Sequence, residues 1–123
     1  MKITTFNPQI ITKDAESTAA VFEALGFERT HTKENIGEHN VTGIRLKEPG
    51  GFNLDISQFE SLPVESLTGI RMNVDDFDEA YRILTEQGFK NFYGDSTADT
   101  PSSKSAILIS PAGVVINLVE HIK

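Results

Sequence analysis

Sliding the 123-residue chain along itself by 62 positions, without a gap, superimposes its two halves, and this internal repeat limits the fold more than any other feature of the sequence. Asp14 falls on Asp76, Gly26 on Gly88, Phe27 on Phe89, Pro49 on Pro111 and Gly51 on Gly113. The identities are few, but each sits at a helix cap, a helix stop or a turn, where backbone geometry selects the residue. The apolar pattern obeys the same shift: Ile10 pairs with Met72, Phe22 with Leu84, Leu46 with Leu108, Leu54 with Ile116 and Ile56 with Leu118.

Each half carries one amphipathic helical stretch. Between Asp14 and Leu25, the residues Ala15, Ala19, Phe22 and Leu25 fall near one stripe behind an Asp14 N-cap, and Gly26 stops the helix. Between Asp76 and Gln87, Phe77, Ala80, Tyr81 and Leu84 make a similar stripe, with acidic residues in the first turn and Gly88 at the end. Pro8–Thr12, Val41–Lys47, Phe52–Ser57, Gly69–Val74, Ala106–Ser110 and Val114–Glu120 read as strands. Pro49-Gly50-Gly51 and Pro111-Ala112-Gly113 supply turn chemistry between hairpin partners. The polar stretch Thr32–Glu38 reads as a loop, Ser61–Ser66 as a connector and Tyr93–Ser105 as a long loop of the second half. The pattern predicts an α+β domain of two tandem βαβββ modules, about 1–61 and 62–123. A module of about 60 residues buries too little surface to stand comfortably alone, so the two are expected to pack together or against those of a second chain.

Composition narrows the function. Eighteen acidic side chains against eleven basic ones leave a net charge of −7, which repels phosphate backbones and draws in cationic small molecules. No nucleic-acid partner is expected. The chain has no cysteine, which removes disulfides, thiolate metal sites and cysteine nucleophiles and suits a reducing compartment. No apolar run reaches the ~20 residues that span a bilayer, and Met1–Ile10 lacks the apolar core of a signal peptide. A soluble cytoplasmic protein without a membrane partner is expected.

The segment from Lys13 to Phe27, closing on Leu25-Gly26-Phe27, and the Pro-x-Gly turn ahead of the last strand resemble the vicinal oxygen chelate superfamily, which includes glyoxalase I, extradiol dioxygenases and bleomycin-resistance proteins. The first helix, with Asn7-Pro8 ahead of it, is most similar to the bleomycin-resistance branch. The resemblance implies a curved mixed sheet, a cup with helices on its outer face, commonly in a homodimer with the ligand inside. In the superfamily's enzymes, residues on the first and last strands of each module hold a divalent metal. Here the matching positions read Asn7, Asp55, Gly69 and Asn117, with one good oxygen ligand among them, so no metal is expected in the usual manner. His31 and His39 flank the polar loop, and Glu120 and His121, being adjacent on a strand, point to opposite faces. No Ser-His-Asp order, nucleophile elbow or phosphate-cradling loop is present, so no catalytic residue is assigned.

Strand alternation assigns the faces. With Asn7 and Asp55 facing the cup, Gln9, Ile11, Asn53 and Ser57 face it too, while Ile10, Phe52, Leu54 and Ile56 turn toward the helix. In the second module Gly69, Arg71, Asn73, Val115, Asn117 and Val119 take the cup side, and Ile70, Met72 and Val74 pack inward. Asn7, Gln9, Asn53, Asp55, Arg71, Asn73 and Asn117 are therefore candidate ligand-binding residues, with Phe92, Tyr93 and Phe59 as aromatic contacts at the rim. The alternative for the same face is the solvated side of an open sheet. Asp55 and Arg71, if they meet, are expected to form a salt bridge rather than a catalytic pair, because a neighbouring arginine lowers a carboxylate's pKa. The expected function is metal-free binding of a polar or cationic small molecule at a dimer interface, with no cofactor. The alternatives are a metal-dependent glyoxalase-like lyase, isomerase or dioxygenase, and a regulatory module without a ligand.

Overall fold

A computed structural model describes residues 1–36, 41–59, 66–94, 97–100 and 102–121. The chain runs β1 (Ile3–Thr12), α1 (Ala15–Ala24), β2 (Glu28–Ile36), β3 (Val41–Lys47), β4 (Asn53–Gln58), β5 (Ser66–Val74), α2 (Phe77–Glu86), β6 (Lys90–Asn91), β7 (Ala98–Thr100), β8 (Ser103–Ile109) and β9 (Val115–His121). It is an α+β fold with a mixed sheet, a βαβββ run (β1–β4 with α1) followed by its repeat (β5–β9 with α2), which carries one extra short strand, β7. The repeat carries through to the backbone. α1 and α2, β3 and β8, and the starts of β4 and β9 are related by the same 62-residue shift.

Both helices begin and end by one device. The Asp14 side chain accepts from Ser17 N at 3.1 Å, and that of Asp76 accepts from Glu79 N at 3.1 Å. At the far ends Gly26 (φ +105°) and Gly88 (φ +95°) take left-handed conformations that a Cβ would strain. The chain then folds back, with Phe27 N donating to Phe22 O at 3.1 Å and Phe89 N to Leu84 O at 3.0 Å.

Contacts group the chain into two compact units: Asn7–Thr68, and Met1–Phe6 together with Gly69–Lys123. In Asn7–Thr68 the strand order is β2-β3-β4-β1, with β3 and β4 antiparallel and β1 and β4 parallel. Ala15 and Ala19 of α1 pack on Ile44, Leu46, Leu54 and Ile56, with Ile10, Phe22 and Phe27 around them. In the other unit the order is β5-β9-β8-β6, with β7 on β8 and β5 parallel to β9. Phe77 and Ala80 of α2 pack on Met72, Val74, Ala106, Leu108, Ile116 and Leu118. The opening of β1 runs beside β5, and the Asp75 N donates to Lys2 O at 3.1 Å.

Several sequence expectations need correction. The polar loop begins as strand: β2 covers Glu28–Ile36, including His31, and pairs with β3. The remainder of that loop, with His39, lies outside the described residues. β2 escaped notice because Glu28–Glu34 are exposed and mostly polar, which suits an edge strand and leaves no apolar alternation to read. The long loop Tyr93–Ser105 contains β7 and the start of β8. Ser66 of the connector opens β5, and Ser61–Glu65 lie outside the described residues. Phe52, expected to turn inward, is 70% exposed at the turn, whereas Phe59, expected at the rim, is buried.

Candidate ligand-binding site

The hydrogen-bond registers of three adjacent strands put Arg45 (β3), Asp55 (β4) and Gln9 (β1) side by side in one row. Their side chains share a face, because Ile44, Leu46, Leu54 and Ile56 claim the opposite one for the helix. Asp55, 3% exposed, accepts from Arg45 Nε at 2.9 Å and from Asn7 Nδ2 at 3.1 Å. Gln9, 1% exposed, donates through Nε2 to Ser57 Oγ at 2.8 Å, while its Oε1 is buried with no hydrogen-bond partner. Gln9 Oε1 is thus a buried acceptor, and such a group costs about 1–3 kcal/mol when no donor meets it. Asn53 is half-buried beside the row on β4.

The other unit repeats the registers with different chemistry: Ile107, Asn117 and Arg71 form the corresponding row. Arg71 Nε donates to Asn73 Oδ1 at 3.1 Å, Asn73 is buried, and Asn117 is half-buried. Phe92 and Tyr93 meet edge to face at 5.2 Å. Burial pushes the Tyr93 hydroxyl above its ordinary pKa. Phe92, with Lys90, Asn91, Ile109 and Pro111, lines an open pocket of about 360 Å³, and Asn91 Oδ1 accepts from Tyr93 N at 3.0 Å.

Alternation thus placed Gln9, Asp55 and Asn73 on the face opposite the helices, but they are buried, which is not how the merely solvated side of a sheet behaves. Asn7, Gln9 and Asp55 lie together in Asn7–Thr68, whereas Arg71, Asn73, Asn117, Phe92 and Tyr93 belong to the other unit. Arg45, which forms an ion pair with Asp55, was not among the expected site residues. Its signal was present in Ile44-Arg45-Leu46, an arginine between two core residues on a strand and hence on the polar face.

Among the described residues no three His, Cys, Asp or Glu side chains come together as a metal-binding group. Asp55, the one carboxylate of the expected ligand set, is held by Arg45, whose positive charge competes with any cation there. Gly69 has a steric cause: a Cβ would collide with the backbone carbonyl of Val115 and come within 2.7 Å of that residue's Cβ. A metal-binding side chain is thereby shut out. The residues described do not fit a divalent metal held in the superfamily's manner.

The elements and their order make the vicinal oxygen chelate fold. The chain is similar to methylmalonyl-CoA epimerase of Streptomyces coelicolor in complex with 2-nitronate-propionyl-CoA, at TM-score 0.63 and 21% identity over 97% of this chain and 98% of the other. It is similar to methylmalonyl-CoA epimerase of Mycobacterium tuberculosis, at TM-score 0.64 and 19% identity over 96% and 88%. A hypothetical protein of Bacillus halodurans matches at TM-score 0.67 and 15% identity over 100% and 97%. No protein-family profile matches the chain, and no curated protein matches its sequence. These likenesses establish the fold. They do not support the expectation of no cofactor. Among the described residues no helix is long and apolar enough to cross a membrane.

Proposed function

We propose that the protein binds a small polar organic molecule on the face that carries Gln9, Asp55 and Ser57, with Asn7 and Asn53 beside them. The observation that carries this reading is the buried Gln9 Oε1 without a partner, next to a carboxylate that Arg45 and Asn7 hold. A buried acceptor of this kind is costly unless a donor completes it. Arg71, Asn73 and Asn117 offer a second polar set, and Phe92 and Tyr93 an aromatic contact for a flat group. The resemblance of the first helix to the bleomycin-resistance branch supports a binding role. It also supports a homodimer, to which Phe6, Leu25 and Phe52, at least 60% exposed, leave apolar surface available; light scattering tests that state.

A thermal-shift screen of the intact protein tests the reading. A ligand present at 100 times its Kd raises stability by about 2.7 kcal/mol. Compounds that shift the native protein are expected to leave Gln9→Leu and Asp55→Asn unshifted. A hit that shifts all three proteins equally removes these residues from the site.

A second reading, a metal-dependent isomerase or lyase, is favoured by the epimerases that share the fold. Metal analysis of protein purified without chelator separates the two. Near-stoichiometric Co, Ni, Zn or Mn, lost in Asp55→Ala, supports the enzyme.

A further inference from the structure

We propose that Arg45 determines specificity, and that the ligand carries a carboxylate together with a hydroxyl or amide N–H donor; this rests on the binding reading above. The Arg45 guanidinium is fixed through Nε on Asp55 Oδ1 at 2.9 Å, and Asp55 is itself fixed by Asn7. Among the described residues neither Nη atom of Arg45 makes a hydrogen bond, and the side chain is 36% exposed. What remains is a planar fork of N–H donors, held in one orientation and open to solution. That geometry matches the two oxygens of a carboxylate, and a lysine ammonium does not reproduce it.

The second requirement comes from the same row. Gln9 lies two strands from Arg45, and its buried Oε1 accepts only from a donor. The backbones of β3 and β1 are on the order of 10 Å apart, with Asp55 of β4 between them on the same face, so a ligand that meets both Arg45 and Gln9 spans that row. A cation gains little here, since Arg45 already neutralises Asp55. The net charge of −7 opposes anions at long range, so the selection is made by contact rather than by the field.

Lactate, lactamide, acetate and inorganic phosphate are the probes, titrated into the intact protein while the Arg45 Nε–H and Gln9 side-chain amide signals are followed by NMR. Lactate is expected to move both sets of signals to saturation. Lactamide, which lacks the charge, should bind at least tenfold more weakly, or about 1.4 kcal/mol. Acetate should move Arg45 but leave Gln9. Arg45→Gln and Arg45→Lys should both erase the preference for lactate over lactamide. Arg45→Lys keeps a positive charge for Asp55, and the melting midpoint of each variant verifies its fold. Equal binding of lactate and lactamide, no response to lactate, tighter binding of phosphate, or an unchanged preference in Arg45→Lys overturns the proposal. If screened compounds still require Gln9 while Arg45 variants bind them unaltered, the binding reading stands and the role of Arg45 falls. If nothing binds, both fall.

Discussion

Gly69 shows how differently one residue reads in sequence and in space. In the sequence it is the position where the superfamily's enzymes place a metal-binding side chain and this chain places none. In space it is a close approach of two backbones, since the obstruction met by a Cβ is the Val115 carbonyl rather than the tip of a flexible side chain. Gly69→Ala therefore requires β5 and β9 to part. A loss of about 1–3 kcal/mol is expected, read as a lower urea midpoint with an unchanged slope. Wild-type stability would mean that the strands yield freely there. The neighbouring polar residues were more legible: Gln9 and Asp55 follow from alternation against Ile10, Leu54 and Ile56. What alternation lacks is register. Nothing along the chain says that Asp55 stands opposite Arg45 on one side and Gln9 on the other, and the site depends on that row.

At the scale of elements, the helices were readable to within a residue because their boundaries are set by local chemistry. Asp14 and Asp76 cap them, and Gly26 and Gly88 end them. One part of the device was not readable. Ala15 N donates to Gln58 Oε1 at 2.9 Å, and Phe77 N donates to Glu120 Oε1 at 2.6 Å, so the end of each module's last strand reaches back to the first turn of its helix. Gln58 and Glu120 are related by the 62-residue shift, but the residue types differ. The Glu120 charge also favours the positive end of the helix dipole. Gln58→Ala is expected to cost about 1 kcal/mol and Glu120→Ala about 1–2 kcal/mol, because hydrogen bonds to charged groups are the stronger ones; chemical denaturation of both variants checks the order. A pH dependence follows from α1. The Ser17 backbone N–H holds the Asp14 carboxyl below its ordinary value of 3.8, and hydrogen bonding to Arg29 does the same for Glu16. A carboxylate whose pKa is lower folded than unfolded contributes stability fully above its unfolded pKa, and that contribution disappears as pH falls through the folded value. Below about pH 4 the melting midpoint of the wild type should therefore fall more steeply than that of Asp14→Ala; parallel curves would show that the cap carries no pH sensitivity. The strand misread in the sequence, β2, lacks any such local signal. It is specified by its pairing with β3, beginning with Glu28 opposite Lys47, a partner 19 residues away.

At the scale of the whole molecule, the sequence repeat and the compact units divide the chain in different ways. The repeat suggests halves of about 1–61 and 62–123, yet Met1–Phe6 groups with Gly69–Lys123. Strand β1 is continuous from Ile3 to Thr12, so its opening residues serve one unit and its end the other. Pro8 stands where this change of partners occurs. It has no N–H to contribute to a ladder, and the described pairing with β4 begins one residue later, at Gln9. In the opening part, Lys2 N donates to Asp75 Oδ1 at 2.6 Å, and the N-terminal ammonium lies 3.3 Å from Glu79. The two units are thus joined through the ordered backbone of one strand. The intact chain is expected to melt in one calorimetric transition with equal van't Hoff and calorimetric enthalpies, despite its two units. Inserting two glycines between Phe6 and Asn7 breaks the mechanical continuity while retaining every side chain. That variant should show a broader transition, with its calorimetric enthalpy exceeding the van't Hoff value. Two resolved transitions in the unaltered chain would instead mean that the units fold independently and that the shared strand couples nothing.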